Sequence, residues 1–244
     1  SFKDTGNRGR AVFTGGAVSS YGDFIDFVNI STLGNAQDFG KTNTSARFFA
    51  ACSSGTRGLY AVGYKSPGAS ANEIEYITIA SEGNAIDFGD STVSGYAQSS
   101  LSSSTRGIWG GRQSPSGYSN VIDYVEIATT GNALDFGDSV VTARSNSGAS
   151  SLTRGFQFGG NLTIATVQRI TIAAKGNSIE FGDLTRGRRN TAAFANTVRA
   201  VVAAGSPDYA TTIDYMTSAS GGNMIDFGNL LVGRSQPAGA CNFT

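Results

Sequence analysis

The sequence predicts an all-β fold: a five-bladed β-propeller of four-stranded antiparallel blades, closed by the C-terminal strand. Three observations lead to this prediction. A seven-residue motif, Gly-Asn-x-x-Asp-Phe-Gly, occurs five times, with Glu replacing Asp once. Between the motifs lie short segments rich in β-forming residues and separated by Gly, Ser and Asn, which is typical of consecutive antiparallel strands. The first repeat lacks its first segment, and the end of the chain supplies one.

The spacing of the motif is nearly constant. The copies begin at Gly34, Gly83, Gly131, Gly176 and Gly222, so the steps are 49, 48, 45 and 46 residues (34 to 83, 83 to 131, 131 to 176, 176 to 222). A constant period from end to end indicates an array of one supersecondary unit. Four short strands in about 47 residues are typical of a propeller blade.

A complete repeat contains four segments, which we name A to D in chain order. Segment A is small and polar, at residues 47–53, 96–100, 144–149 and 189–194. Segment B starts at an arginine, at residues 10–16, 57–63, 106–111, 154–160 and 199–205. Segment C alternates apolar and polar residues, at residues 25–30, 74–79, 122–127, 167–172 and 213–217. Segment D is the seven-residue motif.

Segment C always starts nine residues before the Gly of segment D, for example 122 to 131. This fixed distance predicts a tight hairpin in which Gly and Asn supply positive φ angles. The predicted single domain spans residues 1–244. Its blades are residues 1–40 with 233–244, 46–89, 95–137, 143–182 and 188–228. We expect residues 235–242 to pair beside residues 11–14, which would remove the open edge of the array.

Composition argues against several classes of protein. Lys plus Arg and Asp plus Glu number 18 each, so no net field attracts nucleic acid. The chain has no histidine and only two cysteines, Cys52 and Cys241, which argues against zinc and His-based catalysis. We expect both thiols to be free and buried, and we expect no metal and no cofactor. No apolar run long enough to span a membrane and no signal peptide is seen, so we expect no membrane insertion. The start, SFKDTGNRGR, predicts a chain that is processed or cut from a longer one.

The repeats resemble the kelch family. Residues 106–111 (Arg-Gly-Ile-Trp-Gly-Gly), residues 122–124 (Ile-Asp-Tyr) and Phe136 match an Arg-started strand ending in Gly-Gly, a Tyr-bearing strand and an outer aromatic residue. Phe stands where kelch repeats usually have Trp, and the double glycine is lost in two repeats. The repeated sequence motif is also similar to that of kelch-like propellers in virion and tail proteins of aquatic bacteriophages. The resemblance implies fold strongly and function weakly.

Three sets of residues recur as candidate structural positions. The phenylalanines are expected to wedge between neighbouring sheets: Phe39, Phe88, Phe136, Phe181 and Phe227. The preceding acidic residues are Asp38, Asp87, Asp135, Glu180 and Asp226, and the arginines opening segment B are Arg10, Arg57, Arg106, Arg154 and Arg199. We expect these charges to form a blade-to-blade ion pair or a backbone clamp. The alternative is a calcium or carbohydrate site in every blade, although the spacing is not that of an EF-hand.

The connections between segments B and C vary most and are the candidate binding rim. They combine Tyr with Ser, Gly and a few charges, a composition suited to recognition. The candidate binding residues are Tyr21, Tyr64, Lys65, Arg112, Gln113, Tyr118, Asp208 and Tyr209. The alternative is that these connections are solvated turns only.

Two functional hypotheses follow. The first, implied by the resemblance, is a non-enzymatic structural or adhesive module of a virion, such as a phage tail or surface protein. It would be part of a larger assembly whose partners are other virion proteins, a host receptor or a glycan. The second is a carbohydrate-binding lectin with repeated sites between blades. An enzyme is a third option, but segment A carries no Asp or Glu, which argues against a glycosidase with paired carboxylates in the channel.

Overall fold

The computed structural model describes residues 9–16, 21–161 and 164–237, and this part of the chain is all-β. The first two repeats contain β1 (Arg10–Thr14), β2 (Gly22–Asn29), β3 (Gln37–Arg47), β4 (Ala50–Ser53), β5 (Arg57–Ala61), β6 (Tyr64–Lys65), β7 (Ala69–Thr78) and β8 (Ile86–Gly95). The third repeat contains β9 (Ser99–Ser102), β10 (Arg106–Ser114), β11 (Gly117–Glu126) and β12 (Leu134–Asp138). The last two contain β13 (Ser147–Ser150), β14 (Arg154–Gly160), β15 (Ile164–Thr171), β16 (Ile179–Asp183), β17 (Ala192–Ala195), β18 (Arg199–Ala203), β19 (Thr212–Thr217) and β20 (Ile225–Asn229).

Each of the last three repeats forms one four-stranded antiparallel sheet in chain order: β9 to β12, β13 to β16 and β17 to β20. The first two repeats instead share one curled eight-stranded sheet. They are joined because the end of β3 pairs with β6, with Ala46 opposite Lys65 and Arg47 opposite Tyr64. The architecture is therefore propeller-like, but the first two repeats are not separate sheets as expected for five blades.

A register shift recurs in every repeat where segment C meets segment D. In the third repeat Ile122 faces Gly137 and Asp123 faces Asp135, so the register skips Phe136. Gly137 has φ 145°, a conformation that side chains other than Gly rarely adopt. This bulge explains why the motif places a glycine directly after the phenylalanine.

The apolar core lies between neighbouring sheets. Phe136, only 2% exposed, belongs to one buried cluster with Tyr124 of its own sheet and Ile170 and Ile172 of the next. The rings of Tyr124 and Phe136 meet edge to face at 5.8 Å. Burying such a ring contributes about 1.5–3 kcal/mol, so the phenylalanine holds two sheets together.

From the second repeat onward, the Gly-Asn of each motif contacts the preceding repeat. Gly131 N donates to Phe88 O at 2.7 Å, and Ala133 N donates to Asp90 O at 2.7 Å. Asp90 N donates to the Asn132 side-chain Oδ1 at 3.0 Å. The same three bonds join the other consecutive repeats from the first to the fifth. The expectation that Asn supplies a positive φ is wrong: in four copies the Gly has positive φ, and the Asn bonds to the previous repeat.

The repeated arginines also reach across the junctions. Arg10 Nη1 donates to Ile79 O at 3.1 Å, Arg57 Nη1 to Ile127 O at 2.8 Å and Arg106 Nη1 to Ile172 O at 3.0 Å. Arg154 makes the same contact with Ser218 O. No salt bridge within the described residues pairs a repeated arginine with the acid before the phenylalanine. Two of those acids bond within their own strand, Asp135 to Gly137 N and Asp226 to Gly228 N.

The junction between the fifth and first repeats is not formed in the same way. Phe227 is 55% exposed, whereas Phe136 is 2% exposed. Ala36 is exposed, whereas its equivalent Ala133 is buried. Among the described residues, no backbone hydrogen bond joins residues 34–36 to residues 227–229. Closure of the ring is therefore not observed.

The predicted closing strand falls mostly outside the described residues, which end at 237. Before that point, Gly205 N donates to Arg234 O at 2.9 Å, as Gly160 N donates to Arg188 O at 3.1 Å one repeat earlier. Gln236 N donates to Asn190 O at 2.9 Å, as Asn190 N donates to Ser145 O. Residues 234–236 therefore occupy the position that begins a further segment A.

Candidate functional site

A cavity of about 490 Å³ lies where the ends of the segment A strands of successive repeats come together, and we call it the end cavity. Its lining residues are Phe48, Phe49, Tyr96, Ala97, Gln98, Arg144, Ser145, Asn146, Arg189, Asn190 and Gln236. All of them lie at the start of segment A or at the equivalent place after the fifth repeat. The cavity is therefore built from the same position of five successive units.

In each unit that lines the cavity, one residue adopts the left-handed backbone conformation. The residues with positive φ at this position are Phe48 (61°), Ala97 (56°), Ser145 (58°), Asn190 (54°) and Gln236 (56°). Backbone bonds join successive units, with Ser145 N donating to Ala97 O at 2.8 Å and Asn190 N donating to Ser145 O at 2.9 Å. A non-glycine residue in this conformation costs on the order of 1 kcal/mol, so the sequence accepts strain here in every repeat.

The lining is polar and carries positive charge. Arg144 and Arg189 contribute guanidinium groups, and no Asp or Glu lines the described part of the cavity. Asn146 is 7% exposed, and neither atom of its amide has a hydrogen-bond partner among the described residues. Gln98 Oε1 and Arg144 Nε are also buried without a partner there. Buried polar atoms normally have hydrogen-bond partners, so these atoms are unsatisfied within the described residues.

Beside the cavity lies an arginine–aromatic cluster, formed by Tyr21, Arg47, Phe48, Tyr64 and Tyr96. Phe48 stacks on Tyr96 with ring centroids 5.7 Å apart, and Tyr64 meets Tyr96 edge to face at 5.0 Å. The Arg47 guanidinium lies 5.2–5.4 Å from the rings of Tyr21, Phe48 and Tyr64. The cluster presents flat apolar faces next to positive charge.

Arg112 is not part of a binding surface, although the sequence analysis placed it on the rim. Its side chain is fully buried, and Nη2 lies 2.7 Å from Asp123 Oδ2. Burial lowers the pKa of Arg112, and the neighbouring Asp123 charge opposes that shift. Arg188 and Asp214 form the same kind of fully buried pair at 2.8 Å. Arg112 is therefore paired with Asp123 for structural reasons, since a buried charge is tolerated only with a partner of opposite charge.

The other predicted rim residues fall into two groups. Tyr21 and Tyr64 belong to the arginine–aromatic cluster, and Tyr118 lies 5.6 Å from the Arg144 guanidinium. Gln113 pairs through its backbone with Tyr96.

Lys65 instead forms a salt bridge with Glu73, and Asp208 forms one with Arg186 at 2.8 Å. Tyr209 is 67% exposed and does not line the end cavity. Residues 17–20 of the first connection lie outside the described residues.

A second cavity, of about 600 Å³, is lined by segment A and the turns after it in the second to fifth repeats. Eight of its lining residues are serines, and it also contains Cys52. Cys52 is a free thiol whose pKa is raised to about 12 by burial, so it is unreactive at neutral pH. Cys241 lies outside the described residues. The described residues contain no group of His, Cys, Asp and Glu side chains that could hold a metal ion.

Sequence reasoning missed most of the end cavity. Arg47, Tyr96, Arg144 and Arg189 each stand ten residues before the arginine that opens segment B, for example 144 to 154. This recurrence of large polar or aromatic residues at the start of an otherwise small segment was the available signal. The positive φ angles that turn them toward one another leave no mark in the sequence, because Phe, Ala, Ser, Asn and Gln all occupy that position.

Neither the family models nor the curated proteins with which the sequence was compared match this chain. The described residues contain no helix that is long and apolar enough to cross a membrane. The arrangement of the end cavity is suited to holding a polar or anionic ligand against aromatic rings.

Proposed function

We propose that this chain is a non-enzymatic recognition module of a virion, which binds its partner at the end cavity and the arginine–aromatic cluster. The observation that carries this proposal is the cavity lining of unpartnered amides and arginine next to exposed rings. Phe48 is 42% exposed, so its ring is available at the cavity mouth. Aromatic anchors surrounded by polar groups are typical of recognition surfaces.

The virion assignment is supported by the likeness of the repeats to kelch-like propellers of bacteriophages. A rigid body made of repeated sheets suits a particle surface, because a preformed site loses little entropy when it binds. The partner is a host receptor or glycan, or another virion protein. A lectin with sites between every pair of sheets is less favoured, since Tyr124 in such a position is 7% exposed and packs on Phe136.

The proposal includes a closed ring of five blades. Four junctions use the same hydrogen bonds, and the two ends of the array carry the two matching halves: residues 227–229 and Arg199 at one end, residues 34–36 at the other. In the closed ring, the residues that follow 234–236 would supply the missing segment A of the first repeat. Closure would bury Phe227 and satisfy both edges.

Two measurements test this function. Mass spectrometry and immunogold labelling of virus particles purified from the source of the gene are expected to detect this chain on the particles. Particles lacking it would overturn the virion assignment.

The fluorescently labelled protein is expected to adsorb to host cells. Phe48→Ala and Tyr64→Ala are expected to weaken adsorption at least tenfold. Tyr209→Ala is the control, because Tyr209 is exposed but lies outside the end cavity. An equal loss in all three variants would contradict recognition at the cavity.

A further inference from the structure

We infer that the end cavity binds a saccharide that carries a carboxylate. The carboxylate would be held by Arg144 and Arg189, and the sugar hydroxyls by the side-chain amides of Gln98 and Asn146. The inference rests on the proposed recognition function and specifies the chemistry of the ligand.

The charge of the cavity selects an anion. Two arginines line it without any carboxylate among the described residues, and Arg47 adds a third guanidinium in the adjoining cluster. Arg144 Nη1 makes one long bond, 3.4 Å to the Tyr96 hydroxyl, and Arg144 Nε has no partner in the described ranges. Arg189 takes part in no salt bridge there. Both side chains therefore keep donors for a carboxylate, which guanidinium groups bind through paired hydrogen bonds.

Asn146 lines the cavity, and neither atom of its buried amide has a hydrogen-bond partner among the described residues. A buried amide without partners costs about 1–3 kcal/mol, which a ligand would recover. The fold leaves room for this side chain, because a Cβ at Gly111 would lie 2.5 Å from Nδ2 and 2.6 Å from Oδ1. With Gln98 Oε1 it offers the mixed donors and acceptors that vicinal hydroxyls require.

The ring of Phe48 supplies the apolar part of the site. It lies over Tyr96 with an interplanar angle of 28° and is 42% exposed, and the Arg47 guanidinium lies 5.3 Å from its centroid. A pyranose has an apolar face of C–H groups that packs on such a ring. The cavity volume of about 490 Å³ is within the range of about 300–1,000 Å³ for small-molecule sites. A bare inorganic anion would use the arginines but neither the ring nor the amides.

The test is titration of the protein with glucuronic acid, glucose and sodium sulfate, followed by calorimetry or by ligand-detected NMR. Glucose is the matched control because it differs from glucuronic acid only in carrying a hydroxymethyl group in place of the carboxylate. Glucuronic acid is expected to bind at least tenfold more tightly than either glucose or sulfate. Equal binding of glucose would overturn the carboxylate assignment, and equal binding of sulfate would overturn the saccharide assignment.

Variants locate the binding. Arg189→Gln and Asn146→Asp are expected to weaken glucuronic acid binding at least tenfold. Arg186→Gln is expected to leave it unchanged, because Arg186 is exposed and pairs with Asp208 outside the cavity. Arg189 is also exposed, so its variant is expected to fold normally even if Asn146→Asp does not. An equal loss in Arg186→Gln and Arg189→Gln would contradict binding at this site.

The proposed function is measured separately by adsorption of the labelled protein to host cells. Adsorption that depends on Phe48, with no binding of glucuronic acid, would overturn the ligand class and leave the recognition function standing. Absence of adsorption would overturn the recognition function itself.

Discussion

The buried polar position at the second residue of segment C differs among repeats, and the differences have predictable consequences. Glu75 is 2% exposed, and its Oε2 accepts a hydrogen bond from Asn43 N at 3.0 Å. Burial raises the pKa of this carboxyl above its ordinary value of 4.5, against the lowering effect of that bond. The fourth repeat has Gln168 at the same position, 1% exposed, and its Oε1 accepts a hydrogen bond from Val141 N.

We predict that Glu75→Gln stabilises the protein at neutral pH. Because the pKa is higher in the folded state, the unfolded chain loses its proton first as pH rises through 4.5, and the folded state then carries the cost of a buried charge. The glutamine keeps the acceptor for Asn43 N without that charge. The free energy of unfolding at pH 7 is expected to rise by on the order of 1 kcal/mol, with a smaller gain at pH 4.

Urea unfolding at the two pH values measures this effect. Gln168→Glu is the reciprocal control, and it is expected to lower stability at pH 7 more than at pH 4. A loss of stability at pH 7 in Glu75→Gln would mean that the carboxylate charge is itself stabilising.

Residue roles were harder to predict than residue positions. The repeat made the phenylalanines and arginines conspicuous, but it could not tell a buried arginine from an exposed one. Arg112 is buried because Asp123 lies beside it, and that pairing depends on the sheet register rather than on local sequence. The cavity arginines are conspicuous only once the left-handed residues beside them are known.

At the scale of elements, the seven-residue motif acts as a connector as well as a hairpin. The sequence pattern predicted its strand and its turn, because Gly and alternating apolar residues report local structure. It did not predict that Asn132 would bond to Asp90 of the preceding repeat, since that contact joins residues 42 positions apart. The near-constant spacing predicted the length of the repeat. It did not predict which neighbouring repeat the motif contacts.

We predict that Asn132→Ala lowers the free energy of unfolding by about 0.5–1.5 kcal/mol, because it removes the acceptor for Asp90 N. Thermal or urea unfolding measures the loss. Asn120→Ala is the control, because Asn120 lies in β11 and its side chain makes no hydrogen bond within the described residues. An equal loss in Asn120→Ala would contradict a specific role for the junction.

At the scale of the whole molecule, the period predicted the number of repeats, and the structure leaves the last junction unformed. Four junctions bury a phenylalanine or hold it partly buried, while Phe227 at the fifth is 55% exposed. The sequence could predict that the first and fifth repeats are able to pair, because each repeat carries the residues for both sides of a junction. Whether those ends meet depends on the summed angle between successive sheets, which no local pattern encodes.

Closure can be tested with two glycines in the same conformation. Gly137 has φ 145° and Gly228 has φ 139°, so replacing either with alanine brings a similar backbone strain. A Cβ at Gly137 would lie 2.6 Å from the Gly176 backbone, whereas a Cβ at Gly228 has no atom of the described residues within 4 Å. The difference between the two variants therefore isolates the contact with the next repeat.

We predict that Gly228→Ala destabilises the protein as much as Gly137→Ala, because a closed ring places residues 34–36 against Gly228 as residues 176–178 lie against Gly137. Phe227→Ala is likewise expected to cost about 3–5 kcal/mol, as for a buried phenylalanine such as Phe136. Chemical unfolding of the four single variants, including Phe136→Ala, gives the comparison. If both variants at the fifth junction cost much less than their counterparts at the third, the ends do not meet, and the array is open in solution.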